Sequence, residues 1–276
     1  MIPHNSVTGT ALAAVAFCAA VAIGLGAQSQ VDEKDPLTFE VASVKPSPGC
    51  PPECGLIRPM PGNQRYHVEG APLRVLMTVA YTVTDRQISG GPAWMSTDRF
   101  DIEAKAERPR TIDELHVMLQ HLLEERFHLK LRRETREEPV WALVVNKGGS
   151  KMPVHDPDDR NYPPIGRQTV RESDGSLCPG LAGQNVTMDY FAFFLSRTMD
   201  RKVIDGTGLP ARYDVNLKYL PDGARFEGKD GGGPTISSDC ADIFSALPKQ
   251  LGLKLESTKG PVEFLVVEHA EKPTEN

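Results

Sequence analysis

His121, Glu125 and His128 stand at i, i+4 and i+7, a spacing that on one helical face presents imidazole and carboxylate ligands to a metal ion. Phe127-His-Leu-Lys-Leu already alternates like a strand, however, and breaks the helix before His128. These side chains therefore read as a solvated helix flank, and no metal site is assigned. Ser89-Gly-Gly-Pro-Ala-Trp94 has the outline of a nucleophile turn. A serine nucleophile needs a positioned base, and His67 is the histidine nearest to it in sequence. A Gly-Gly-Pro turn between strands, with Trp94 packed beneath it, accounts for the same residues. Asp205 stands in the place of Ser89 in Ile204-Asp-Gly-Thr-Gly. Asp101 and Asp214 each follow an aromatic at a strand start, where they either cap turns through backbone hydrogen bonds or line a cleft. Asp101, Asp214, Trp94 and Asp205 are kept as cleft candidates; no catalytic or cofactor-binding residue is assigned, and no cofactor is implied. No HExxH, GxSxG, Walker loop or dinucleotide fingerprint is present.

The five cysteines divide by position. Cys18 lies in an apolar leader, leaving Cys50, Cys54, Cys178 and Cys240. One C-x3-C facing two isolated cysteines, with no histidine close by, does not give the paired spacing of a zinc site. Four cysteines in an exported chain read as disulfide candidates, with three connectivities open.

The elements that must position these groups come in a repeated order. Asp85-Arg86-Gln87, Ile88-Ser-Gly and Arg99-Phe-Asp-Ile-Glu-Ala-Lys recur as Asp200-Arg201-Lys202, Ile204-Asp-Gly and Arg212-Tyr-Asp-Val-Asn-Leu-Lys. His128-Leu-Lys-Leu and Pro139-Val-Trp-Ala-Leu-Val-Val recur as Gly252-Leu-Lys-Leu and Pro261-Val-Glu-Phe-Leu-Val-Val. The displacement is 113 to 124 residues and the order is conserved within the chain, as an internal duplication requires. Each unit reads as an amphipathic helix, a short strand, a turn and a second strand. Pro72 suits a first helical turn; Thr111 with Glu114 forms a capping box; Thr187 caps a third helix; Ser238 or Asp239 caps a fourth, which Pro248 should kink or shorten. Lys130–Glu138 reads as a solvated hairpin. Tyr190, Phe191, Phe193 and Phe194 cover more than one side of their helix and read as core or as an aromatic groove between halves. The expected fold is α+β: two pseudo-equivalent halves at 36–151 and 182–273, antiparallel sheet covered by helices, and a Pro/Gly/Asp-rich linker at 152–181. Asp222–Pro234 reads as a flexible insertion.

The chain has 276 residues, 24 Gly, 23 Pro and 39% hydrophobic residues, enough for one large domain or two small ones. A net charge of −6 offers no basic surface of the kind nucleic acid needs, and a multi-span membrane protein is excluded. Met1–Ala27 carries no Asp, Glu, Lys or Arg and contains ALAAVAFCAAVAIGLGA. This is the layout of a signal peptide cleaved near Gly26 or Ala27, which makes the protein periplasmic or secreted. If uncleaved, the same run would be its one attachment to a membrane.

Phe39-Glu-Val-Ala-Ser-Val-Lys-Pro, Ile88-Ser-Gly-Gly-Pro-Ala-Trp, Arg99-Phe-Asp-Ile-Glu-Ala-Lys-Ala, Leu123-Glu-Glu-Arg-Phe, Pro139-Val-Trp-Ala-Leu-Val-Val and Gly208-Leu-Pro-Ala-Arg-Tyr-Asp together resemble one family. It is the uncharacterised, soil-associated exported family numerous in Solibacter-type Acidobacteria, and the likeness spans roughly Pro36 to Asn276. The resemblance implies export, an α+β fold and, in some relatives, attachment to antibiotic-sensor-type membrane peptidases; it transfers no catalytic residue. Cys50, Cys54, Cys240 and Pro248 depart from the pattern. The helix–strand units also look like the small periplasmic domains of secretins and TonB-dependent receptors, at the level of fold alone. The expected function is a non-catalytic envelope module binding a protein or small ligand. The alternative is an exported hydrolase with a site between the halves. Convergence of two or more of His67, His121, Ser89, Asp101, Asp205 and Asp214 in one cleft would favour the hydrolase.

Overall fold

Several strands in this chain alternate apolar residues with polar ones. In Arg99–Lys105, Phe100, Ile102 and Ala104 are buried while Arg99, Glu103 and Lys105 are exposed. A computed structural model describes residues 37–48, 56–59, 63–156, 165–221, 236–237 and 240–274. The expected leader at Met1–Ala27, Cys50 and Cys54, the expected insertion at Asp222–Pro234, and Ser238 with Asp239 lie outside the described residues.

In chain order, β1 (Val41–Pro46), β2 (Leu56–Pro59) and β3 (Arg65–Pro72) lead into α1 (Leu73–Ala80). A 3-10 turn at Asp85–Gln87, β4 (Ile88–Gly90), α2 (Trp94–Thr97), β5 (Arg99–Lys105), α3 (Ile112–Phe127) and β6 (Lys130–Val145) follow. The chain continues through β7 (Gly166–Arg171), β8 (Leu177–Val186), α4 (Met188–Ser196), β9 (Val203–Asp205) and β10 (Tyr213–Lys218). It closes with α5 (Ile243–Gln250) and β11 (Leu253–His269). The segment 152–181, expected as a linker, thus carries β7 and the start of β8.

The fold is strand-rich α+β, with three sheets and five α-helices among the described residues. The sheets β1-β5-β3-β2 and β10-β8-β7 are antiparallel, as expected. The third, β4-β11-β6-β9, is mixed: β4 runs parallel to β11 and β9 parallel to β6. Both parallel pairs join strands far apart in the chain, with ample length for the crossover that parallel pairing requires.

The helices start where their caps dictate. Thr111 accepts from the Glu114 backbone N–H while the Glu114 carboxylate returns to the Thr111 N–H at 2.8 Å, closing the capping box of α3. Thr187 caps α4 through the Tyr190 N–H. The cap of α5 is Asp242, not Ser238 or Asp239: its carboxylate accepts from the N–H groups of Phe244 and Ser245 and satisfies both donors of the first turn. Pro248 lies inside this helix, which continues to Gln250, and Lys151 Nζ donates to the carbonyls of Pro248 and Lys249 in the last turn.

The expected short hairpin at Lys130–Glu138 is absent. The run is the first half of a single 16-residue strand, β6, paired along its length with the 17-residue β11. No turn-forming residue interrupts Lys130–Glu138, and alternating Arg and Glu fit an extended chain wet on both faces. The middle of this ribbon crosses between two hydrophobic cores. One core holds Phe100, Phe127, Leu129, Leu265 and Val267; the other holds Leu143, Val203, Phe191, Leu247 and Leu253. Each long strand therefore begins in one core and ends in the other. Its charged middle is where neither core covers it. Pro139 and Pro261 lie beside the stretches that β9 and β4 pair with, so their missing N–H groups cost no ladder bond there.

Candidate functional site

The residues singled out by chemistry do not bond to one another. His67 pairs with Glu103 across β3 and β5, and His121 Nδ1 lies 2.8 Å from the Leu37 carbonyl. His128 ends α3 in the left-handed region at φ +47°, and Glu125 pairs with its neighbour Arg126. Among the described residues no three His, Cys, Asp or Glu side chains group to hold a metal. Ser89 is exposed. The Gly90-Gly91 pair after it adopts φ +75° and +76°, and a Cβ on Gly90 would stand 2.7 Å from the Val267 carbonyl oxygen. The turn is thus shaped by its close approach to β11. Trp94 stacks on Phe127 at 6.3 Å and meets Phe100 edge-on at 6.2 Å, at the rim of the first core.

The three aspartates hold backbone. Asp101 accepts from the Gly70 N–H at 2.7 Å, Asp205 from the Thr207 N–H at 2.8 Å, and Asp214 from the Asn185 N–H at 3.2 Å. Gly70 and Asn185 are both left-handed, with φ of +62° and +55°. Asp214 also meets Nδ1 of buried His155 at 2.7 Å and borders a cavity of about 440 Å³ near Met152 and Asn216. Cys178 and Cys240 form a disulfide, which ties β8 to the approach of α5.

The larger cavity, about 570 Å³, lies over the charged middle of the β6/β11 ribbon. Its floor is one face of that ribbon, where Arg136 and Glu138 sit beside Val262 and Phe264. Arg136 stacks over Phe264 at 4.4 Å and pairs with Glu134 at 2.6 Å. The turn Asp85–Gln87 forms one wall and the segment Asp200–Lys202 the other. They touch across the gap: Arg86 Nη1 donates to the Asp200 carbonyl at 2.5 Å, and Lys202 Nζ to the Thr82 carbonyl at 3.3 Å. Gln87 Nε2 ties the first wall to the floor through the Glu263 carbonyl at 2.7 Å. The ends of α1 and α4 bring Val75, Thr78 and Arg197 to the rim.

Charge around this cavity is unevenly paired. Asp85 is held by Arg74, and Asp200 by Arg201 and the indole of Trp141; Arg201 and Trp141 together hold the Asp200 carboxyl below its ordinary range. Arg86, Arg197 and Lys202 make no ion pair among the described residues, although the charges of Asp189 and Glu263 reach Lys202. Arg197 and Lys202 both face the ring of Phe193 at 5.9 Å. Burial lowers the pKa of each, Arg167 adding to the effect at Arg197. The sequence displays the two walls as a repeat, Asp-Arg-Gln and Asp-Arg-Lys, but nothing in it places them across one cavity. This is the site that reasoning from chemistry-bearing residue types does not reach.

Fold and cavity define a strand-rich α+β protein with a basic-rimmed cleft. The chain belongs to the DUF3738 family, described as a protein of unknown function, whose family model matches residues 74–270. No curated protein and no solved structure matches the chain.

Proposed function

We propose that this protein is an exported, non-catalytic binding module of the cell envelope, and that it takes its ligand in the cleft between Asp85–Gln87 and Asp200–Lys202. The observation that carries the reading is the Arg86–Asp200 contact: two copies of one short sequence lean toward each other over a cavity of about 570 Å³. That volume is in the range of small-molecule sites. Export is supported by the uncharged apolar leader and by a disulfide between Cys178 and Cys240. Among the described residues, no helix is long and apolar enough to cross a membrane.

The two walls belong to two halves related by duplication. In support, strand, helix, short strand, strand, helix and long strand follow in the same order in β3–β6 and in β8–β11, the first series carrying in addition the 3-10 turn Asp85–Gln87 and the short helix α2. Asp101 and Asp214 make the same bond to a left-handed residue just before α1 and α4. The short strand of each half pairs parallel with the long strand of the other, so neither half is complete alone.

Thermal denaturation against a small-molecule library tests the reading. Ligands should raise the midpoint of the wild-type protein and leave Val75→Trp, which blocks the cleft from an exposed helix position, unmoved. A second reading, an exported hydrolase, draws on the His155–Asp214 pair. Turnover of a hydrolase substrate panel, lost in Asp214→Asn, together with no cleft ligand, would overturn the binding reading.

A further inference from the structure

We infer that the ligand of this cleft is a small amphipathic organic anion, its carboxylate or phosphate met by Arg86, Arg197 and Lys202 and its apolar body lying on Val262, Phe264 and Met199. The inference rests on the binding reading above and adds the chemical class. Three observations converge on it. The cleft is lined by five cationic and three acidic side chains among the described residues, and two of the acids are already engaged, Asp85 by Arg74 and Asp200 by Arg201. Glu138 is the remaining acid, against three cations that make no ion pair among the described residues. Lys202 is half-buried, where a cation without an ion-pair partner costs free energy that an arriving anion would offset, while Arg86 and Arg197 stand exposed beside it. Second, two of the three are held in place by bonds that leave donors to spare. Arg86 uses one Nη1 hydrogen on Asp200, and Lys202 uses one of three ammonium hydrogens on Thr82. Third, beside its charged groups the lining offers apolar surface, Val262 and Met199 next to the ring of Phe264, one face of which the Arg136 guanidinium covers. A purely inorganic anion would leave that surface unused. A cationic ligand would face an excess of like charge.

A matched pair of fluorescent probes separates charge from shape. 1-Anilinonaphthalene-8-sulfonate and N-phenyl-1-naphthylamine share one ring system, and the first alone carries an anion. The full chain should bind one equivalent of the sulfonate, at least about tenfold tighter than the neutral probe, the equivalent of one charge-assisted hydrogen bond. Arg197→Gln and Lys202→Gln should each weaken the sulfonate about tenfold and leave the neutral probe unchanged, while Arg197→Lys retains most of the affinity. Arg86→Gln, at an exposed position, provides the same readout should Lys202→Gln unfold, as judged by circular dichroism. Val75→Trp should abolish binding of both. Equal affinity for the two probes, with both lost in Val75→Trp, would overturn the anion and keep the cleft as a binding site. Binding of either probe that survives Val75→Trp, or no binding at all, would overturn both.

Discussion

Arg86 Nη1 donates to the backbone carbonyl of Asp200 at 2.5 Å, across a sequence distance of 114 residues. The bond is made to main chain, so it fixes the position of the Asp200–Lys202 segment without consuming its carboxylate, which remains with Arg201 and Trp141. On the far side, Lys202 reaches Thr82, the left-handed residue just beyond α1. Two reciprocal ties of this kind hold the walls of the cleft at a fixed separation.

Stability should fall in acid through one buried histidine. His116 is 4% exposed, packs against the Tyr190 ring at 5.1 Å, and burial pushes its pKa down to about 4. The unfolded chain takes up the proton near 6.5 while the folded chain resists until about 4. The unfolded state therefore binds more protons in that window, and stability present above pH 6.5 is lost as the pH falls toward 4, by up to roughly 3 kcal/mol. Urea titrations of wild type and His116→Leu between pH 7 and pH 4 check this: the variant should lack most of the slope.

Phe127→Ala should cost about 3–5 kcal/mol in urea denaturation. Phe127 is fully buried and holds Phe100 edge-on at 5.0 Å with Trp94 stacked behind it, a cluster that cannot collapse around the lost ring. Arg133→Ala, at an exposed position in the first part of β6, should change stability by about 1 kcal/mol or less, because its ion pair with Glu263 is open to water and its guanidinium lies 5.5 Å from the Tyr81 ring.

Thr111→Ala should cost about 1 kcal/mol by removing the acceptor of the Glu114 N–H at the start of α3. Thr111→Ser should restore most of it. The loss of helical ellipticity on heating should begin earlier in the alanine variant.

Peptide mapping without reductant should recover a fragment joining Cys178 to Cys240. Their separation of 62 residues makes this a long-range restraint, and its reduction should lower stability by roughly 2–5 kcal/mol. A Cys178–Cys50 or Cys178–Cys54 fragment in its place would contradict the geometry.

Several elements were readable from local pattern because their causes are local. Thr111 and Glu114 announce a helix start by spacing alone, and the alternation of Phe100, Ile102 and Ala104 announces a strand. For Asp101 and Asp214 local pattern leaves a turn cap and a cleft position both open; each holds a backbone N–H, and Asp214 also borders the smaller cavity. The α5 cap was misplaced because Ser238, Asp239 and Asp242 are all good caps, and the choice depends on which donors point inward. The hairpin expected at Lys130–Glu138 failed on a different point. A charged run is compatible with a turn or with a strand that is wet on both faces, and only the partner strand decides.

Sequence by itself determined the composition of each segment, the caps of α3 and α4, the strand alternation and the repeat of Asp-Arg-Gln as Asp-Arg-Lys. Tertiary structure alone decided that β6 and β11 run from one core to the other, that their charged middles meet, and that Asp85–Gln87 and Asp200–Lys202 face each other there. The physical reason is range. Capping and periodicity act over three or four residues and leave their mark on neighbours in the chain. A cleft is made by pairing across more than one hundred residues, and its register is set by burying Leu143, Leu253, Leu265 and Val267 all at once.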